Sequence, residues 1–144
     1  MVTSERLERG VTAGLTAAAA VTGAILAFAW RAGAPLEPLV STGRAMLEGG
    51  TPAMALIVGI VTRLADGVLW GLLLAVVAGG VRDWRVQLLS AIAVSAVAAG
   101  AHATILVPLR LGYGVGVFPL HGTPLLYLYL VFAVGLLAGM RIAR

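Results

Sequence analysis

The chain has 144 residues, of which 60% are hydrophobic and 11% are charged, and it contains no cysteine. A typical soluble domain has about 25% charged residues, so this composition leaves too few charges to cover a surface exposed to water. It excludes a disulfide-stabilised secreted scaffold, because there is no cysteine, and a disordered chain, because the sequence is too apolar. The composition predicts an integral membrane protein.

The ten basic residues are all arginine and face six acidic residues, which gives a net charge of +4. On a soluble domain such a charge would indicate a nucleic-acid partner. Here the arginines flank long apolar runs and do not cluster with aromatic residues, so the patch that neutralises phosphates is missing. The sequence therefore predicts no nucleic-acid partner, and the predicted partner is the lipid bilayer.

Gaps between charges mark the predicted helices in chain order. Uncharged stretches of 21, 24 and 30 residues separate Arg9 from Arg31, Arg85 from Arg110, and Arg110 from Arg141. A bilayer core about 30 Å thick needs roughly 20 helical residues, so each stretch holds one helix. A fourth, long helix is predicted between Pro52, which suits a first helical turn, and Gly80. We predict an all-α polytopic membrane protein, a single transmembrane domain of four helices in a compact bundle, with spans at about 10–30, 52–80, 86–107 and 123–141.

The connections between the predicted spans carry weaker signals. A short stretch from Leu39 to Leu47 is predicted to lie along the membrane interface. The loop from Pro108 to Pro124 is rich in glycine and proline, so no regular helix is predicted there. A transmembrane β-barrel is excluded, because the long runs are apolar on every side and do not alternate in polarity.

The distribution of arginine predicts the orientation. If the amino terminus lies inside, six arginines fall on the inner side and three on the outer side, which places both termini in the cytoplasm. The use of arginine in place of lysine is typical of GC-rich bacterial genomes, so the predicted location is the bacterial inner membrane. The alternative for the first span is a signal peptide cleaved after the small-x-small segment from Ala32 to Ala34.

Small residues recur at intervals of four or eight along the second span. Helices in lipid associate where such residues let their backbones approach, so this row predicts a packing face. The pattern leaves open whether the face packs within the chain or against a second copy or another membrane protein. The predicted packing residues are Gly59, Gly67, Gly71, Ala75 and Gly79.

Two charged residues, Arg63 and Asp66, interrupt the same span. A charge at the centre of a span costs at least about 2.5 kcal/mol, so the two side chains are predicted to pair across one helical turn. The pair is either a buried structural ion pair or part of a site for an ion, a proton or a polar substrate.

His102 and His121 are both predicted near the outer side, and with Arg63 and Asp66 they outline a polar strip. Histidine titrates near neutral pH and is a common ligand, so the strip is compatible with proton transfer or with heme or metal binding. The two histidines lack the short spacing of strong metal motifs, so no cofactor is predicted. No catalytic site is predicted either, because lysine, cysteine and a Gly-x-Ser-x-Gly motif are all missing.

Three segments, at 10–15, 65–71 and 107–116, carry a resemblance to a known family. They read GVTAGL, ADGVLWG and VPLRLGYGVG, and with them the chain resembles small bacterial inner-membrane proteins of the YagU-like kind. The resemblance implies four helices, a glycine-rich first span and no settled activity. Such proteins often carry a histidine in the second or the last span. This chain has Arg63 and Asp66 in the second span and Tyr127 and Tyr129 in the last, so the resemblance assigns no role to a histidine.

These observations predict a small integral membrane protein that is not an enzyme and acts through helix packing, as an accessory or assembly protein or as a homo-oligomer. One alternative is a small transporter or proton or ion conductor that uses the polar strip. A second alternative is heme or metal binding through His102 and His121.

Overall fold

The computed structural model describes residues 3–47, 49–106 and 122–143, and within these ranges it contains helices and turns and no strand. A π-helical turn, His102–Leu106, continues the fourth helix. The predicted all-α class is confirmed. The five α-helices are α1 (Ser4–Arg31), α2 (Glu37–Met46), α3 (Pro52–Ala78), α4 (Trp84–Ala101) and α5 (Thr123–Ile142).

Four of these helices are long and apolar enough to cross a membrane: α1, α3, α4 with its π turn, and α5. The remaining helix, α2, has 10 residues and is too short to span a bilayer core. The prediction of four spans is therefore confirmed, with one additional short helix between the first two.

The four long helices form a ring in the order α1, α3, α4, α5, because α1 and α4 each pack against both α3 and α5. Each long helix runs antiparallel to the next one in the ring. The start of α1, the turn between α3 and α4 and the end of α5 therefore lie at the same end of the bundle, which we call the terminal end. We call the opposite end, where α1 leads into α2 and α5 begins, the loop end. α1 makes the most extensive contacts, which lie along both of its flanks.

Small residues allow α1 to approach its two neighbours at backbone distance. A Cβ atom at Gly67 would lie 2.6 Å from the carbonyl oxygen of Gly14, and one at Gly139 would lie 2.5 Å from the Cα atom of Ala13. Real side chains do not sit at such distances, so these glycines permit the close α1–α3 and α1–α5 contacts.

The small-residue row predicted on the second span packs within the chain and divides between two partners. Gly67, Gly71 and Ala75 face α1, whereas Gly59 lies against the backbone of Leu39 in α2. Gly79, the fifth predicted residue, is buried at the terminal end. All five predicted packing residues, Gly59, Gly67, Gly71, Ala75 and Gly79, are buried.

The stretch predicted along the interface is the helix α2, and it packs against the first half of α3. Gly43 lies against the backbone of Ala55, and Leu39 and Thr42 are buried. One face of α2 is thus covered by protein, and its position relative to the membrane surface stays a prediction.

Helix boundaries differ from the predicted spans where a helix includes polar residues beyond the apolar run. α1 begins at Ser4, six residues before the predicted start, because its first turns carry charged residues that mark the end of the apolar run and not of the helix. The third span is α-helical only to Ala101 and continues as the π turn. The hydroxyl of Thr104 in this turn donates to the backbone carbonyl of Gly100 at 2.8 Å. Most of the predicted loop between Pro108 and Pro124 lies outside the described residues.

Candidate functional site

Four side chains from three helices meet in one hydrogen-bonded group, here called the polar cluster: Asp66 and Trp70 of α3, His102 at the end of α4, and Tyr129 of α5. The His102 Nε2 atom lies 3.1 Å from each carboxylate oxygen of Asp66, and its Nδ1 atom lies 3.0 Å from the Tyr129 hydroxyl. The Trp70 indole N–H donates to Asp66 Oδ1 at 2.9 Å. The polar cluster therefore joins α3, α4 and α5.

The polar cluster joins the middle of α3 to parts of α4 and α5 nearer the loop end. Asp66 follows the start of α3 by 14 residues and precedes its end by 12, which corresponds to about 21 Å and 18 Å along the helix axis. His102 is 1% exposed, and the Asp66 side chain is 18% exposed. Asp66 is thus an ionisable residue at the middle of a candidate span, where such residues are rare.

With an ionised Asp66 and a neutral His102 imidazole, the direction of each hydrogen bond in the polar cluster is fixed. An ionised Asp66 can only accept, so the Nε2–H of His102 is the donor in that contact. In a neutral imidazole the other nitrogen, Nδ1, is then an acceptor, and the Tyr129 hydroxyl donates to it. The polar cluster contains a continuous donor sequence from the phenol through the imidazole to the carboxylate.

Neighbouring contacts hold each member of this sequence in place. Tyr129 is tied to α4 a second time, because the Ser95 hydroxyl donates to its backbone carbonyl at 2.7 Å. The rings of His102 and Tyr129 stack with centroids 5.9 Å apart, and the Trp70 ring meets the imidazole edge-to-face at 6.1 Å. The imidazole is therefore fixed by two hydrogen bonds and two ring contacts.

His102 also marks the residue at which α4 changes from α-helix to the π turn. A π turn places an extra residue in one helical turn and is found frequently at functional sites. The local widening follows a helix whose inward face is otherwise formed by small and short side chains such as Ala91, Ser95 and Ala98. His102 follows these small residues with a large ring, which contacts both α3 and α5.

Arg63, the remaining charge inside a span, is 8% exposed and reaches toward α2. Its Nη2 atom donates to the Thr42 hydroxyl at 3.4 Å, and that hydroxyl donates to the carbonyl of Pro38 at 2.8 Å. Arg63 thus connects α3 to α2 on the loop side of the polar cluster. The predicted pairing of Arg63 with Asp66 stays a prediction.

The histidines predicted in the polar strip have different outcomes. His102 lies against Asp66 as the strip requires, whereas His121 lies outside the described residues. Both ring nitrogens of His102 are engaged within the chain, so binding to an iron or another metal would break one of its two hydrogen bonds. Over residues 3–47, 49–106 and 122–143, there is no group of three or more ionisable ligands that could hold a metal ion.

Sequence reasoning missed Tyr129 and Thr42 as partners and noted Trp70 only as a neighbour on the same face. A usable signal existed for Tyr129, because it precedes the buried Phe132 and Leu136 by three and seven residues and so shares their helix face. Tyr127, two residues earlier, lies on the exposed face. For Thr42 the sequence contains no comparable signal, since its role depends on how α2 folds back on α3.

Comparison of the chain with protein-family models, with curated proteins and with solved structures finds no match in any of the three.

Proposed function

We propose that this chain is a small integral membrane protein that moves protons through its polar cluster. The observation that carries the proposal is the continuous hydrogen-bonded sequence from Tyr129 through His102 to Asp66 in the interior of a four-helix bundle. Each of its three groups has an oxygen or nitrogen atom that can carry an exchangeable proton. The proposal develops the transport alternative drawn from the sequence.

The transfer step balances without any co-reactant. A proton arrives at the Tyr129 oxygen while the original phenolic proton moves to Nδ1 of His102. The Nε2 proton moves at the same time to Asp66, which becomes a neutral carboxylic acid. One proton has then crossed the polar cluster, and the imidazole is left with its proton on Nδ1. Release from Asp66 and exchange of the histidine proton between its two nitrogens restore the starting state.

The energetic cost of the cluster supports a role beyond holding helices together. Removing ionisable groups from water is expensive, and well-packed apolar residues often stabilise a buried interface as well as a buried ion pair does. A clamp between α3, α4 and α5 would not need both a carboxylate and an imidazole. Ionisable residues kept inside a membrane segment commonly lie on proton or ion pathways.

Polar groups extend from the cluster toward both ends of the bundle. Tyr129 is six residues, or about 9 Å, from the start of α5 at the loop end. Toward the terminal end, the inward face of α4 carries Ser95 and then Gln87, both buried, and the Oε1 atom of Gln87 is a buried acceptor without a hydrogen-bond partner among the described residues. Bridging water molecules would complete this route, as they do between separated polar groups in other proteins.

For the setting of this activity we propose the bacterial inner membrane, with the terminal end in the cytoplasm. Arg6, Arg9, Arg82 and Arg85 lie at or near that end, and an excess of arginine is typical of the cytoplasmic side. The relationship to the YagU-like proteins stays a prediction.

The accessory or assembly function also stays a prediction, but the geometry favours it less. This function was predicted from the small-residue row on α3, and that row packs against α1 and α2 of the same chain. Heme or metal binding is likewise less favoured, because the nitrogens of His102 are already engaged.

The test is proton flux into proteoliposomes that enclose a pH-sensitive dye, driven by an imposed membrane potential. Asp66→Asn, His102→Gln and Tyr129→Phe each interrupt the donor sequence and are expected to lower flux at least tenfold. Tyr127→Phe is the matched control, since it makes the same chemical change on the same helix at a residue that is half-exposed and packs edge-to-face on Phe28. Flux equal to that of the parent in all three cluster variants would refute the proposal, as would a parent chain without flux.

A further inference from the structure

A second polar site lies at the terminal end, away from the polar cluster. A cavity of about 550 Å³ opens between the first turns of α1 and the turn that connects α3 to α4. We call it the arginine cavity, because its lining includes Arg6, Arg9 and Arg82 together with Glu5, Gly79 and Gly80.

The charges around the arginine cavity are unbalanced. Three guanidinium groups face one carboxylate, that of Glu5. In the part of the chain that the structure describes, Arg6, Arg9 and Arg82 form no ion pair, whereas Arg44 pairs with Glu37 and His102 with Asp66. The nearby carboxylate of Asp83 is used to cap α4, where it accepts from the backbone N–H of Arg85 at 2.9 Å.

One donor in the cavity is both buried and unused. The Nε atom of Arg9 is inaccessible to solvent and has no hydrogen-bond partner within the described residues. A buried donor without an acceptor is unfavourable, so a small shift of the Arg9 side chain that let an anion accept from it would be favoured.

The glycine turn lets a guanidinium lie directly against the backbone. A Cβ atom at Gly80 would lie 2.7 Å from Nη2 of Arg6, so a larger residue there would displace that head group. Arg6 lies against this turn, and Arg82, two residues after Gly80, lines the same cavity.

We propose that the arginine cavity binds the phosphate group of an anionic ligand. Guanidinium groups match phosphate oxygens with paired, charge-assisted hydrogen bonds, and three of them around one cavity neutralise a phosphate that Glu5 alone would repel. Because the cavity opens where the spans end, the phosphate can belong to the headgroup of an acidic lipid or to a phosphate free in solution. Both sources present the same oxygens to the same arginines.

The experiment measures binding to the full chain in a neutral detergent, by isothermal titration with three probes: a short-chain phosphatidylglycerol, the matching phosphatidylcholine, and inorganic phosphate. The variants Arg6→Gln, Arg9→Gln and Arg82→Gln are each expected to weaken binding about fivefold, which corresponds to about 1 kcal/mol per arginine near an anionic membrane surface. Arg85→Gln is the matched control, because it removes the same charge at the same end from a side chain that lies over the Trp84 ring.

The probes separate the two sources of phosphate. Binding of phosphatidylglycerol without binding of inorganic phosphate identifies a lipid headgroup, whereas binding of inorganic phosphate with the same variant dependence identifies the free ion as sufficient. Two results would overturn the proposal: no binding of either anion, or an equal loss in Arg85→Gln and Arg82→Gln, which would indicate diffuse attraction to the whole basic end. Unchanged helical circular dichroism confirms that each variant is folded, and Arg82→Lys, which keeps the charge but loses the paired geometry, is expected to lie between parent and Arg82→Gln.

Discussion

Nε2 of His102 is equidistant from the two carboxylate oxygens of Asp66, at 3.1 Å from each, across the contact between α3 and the end of α4. The two residues are 36 positions apart in sequence and come together only when both helices are inserted and packed. α4 packs against α3 less extensively than α1 does, and this hydrogen-bonded pair adds a polar link between the two helices.

The neutral form of His102 is expected to be the Nε2–H tautomer, since the Asp66 carboxylate can only accept and Tyr129 supplies a donor to Nδ1. Nitrogen-15 NMR of histidine-labelled protein measures this directly, because the protonated and bare ring nitrogens have well-separated shifts. The His121→Gln variant removes the second histidine and assigns the signals. A neutral ring with its proton on Nδ1 would contradict the donor sequence described above.

Replacing Tyr129 with phenylalanine is expected to destabilise the bundle, because Nδ1 of His102 loses its donor. The expected decrease in the free energy of unfolding is about 0.6 kcal/mol and at most about 1.7 kcal/mol, the average and the maximum found for side-chain hydrogen bonds between the helices of one membrane protein. Tyr127→Phe is expected to change it by less than about 0.5 kcal/mol, since this residue is half-exposed. Reversible unfolding in mixed micelles gives both values, and equal effects of the two variants would argue against the hydrogen bond at Tyr129.

Two glycine-to-alanine changes are expected to have opposite signs. At Gly71 the added Cβ would lie 2.6 Å from the Cα atom of Gly14, so α1 and α3 must separate, at a cost of about 1 to 3 kcal/mol. At Gly23 the added Cβ meets no atom within 4 Å, and the better helix propensity of alanine is expected to stabilise α1 by about 0.5 to 1 kcal/mol. Thermal unfolding of the two variants in the same detergent checks the pair. A stable Gly71→Ala protein would mean that the α1–α3 contact is looser than described.

Replacing Thr42 with valine removes the acceptor of the Arg63 guanidinium and is expected to loosen α2 from α3. A loss of about 1.5 kcal/mol, the weaker end of the range for a hydrogen bond to a charged group, raises local opening roughly tenfold. Hydrogen–deuterium exchange of the segment 37–46 measures this opening. Thr22→Val on α1 is the control, and exchange in 37–46 that is the same in both variants would show that α2 is held by other contacts.

Much of the architecture was predictable because each span leaves a strong one-dimensional signal. Each long apolar run forms a helix long enough to cross a membrane, so the four spans were predicted with only local differences in their boundaries. The extra turns at the start of α1 were missed for the same reason, since a helix continues past Arg9 and Arg6 into water while an apolar run does not. The sequence did not predict that α2 is a helix. Its contacts with α3, in which Gly43 lies against Ala55 and Leu39 lies against Gly59, are evident only in the structure.

The candidate site was predictable in part, and the missing part is three-dimensional. Asp66 and His102 stand out because ionisable residues are rare inside spans, and the structure brings them together. Tyr127 and Tyr129 look alike in sequence, since tyrosine near a span end is common at the membrane interface. Which of the two meets His102 depends on the rotation of α5 about its axis, and that rotation follows from the packing of Gly135 and Gly139 on α1.

The double contact of α1 has a consequence for biogenesis. Its residue Ala13 packs against Gly139, so α1 acquires this second neighbour only after 126 further residues have been synthesised. During that interval one flank of α1 faces acyl chains or the insertion machinery, and contacts that distant in sequence form slowly. The ring can close only when the last helix arrives, so a ribosome-bound chain stalled before α5 remains an open three-sided intermediate.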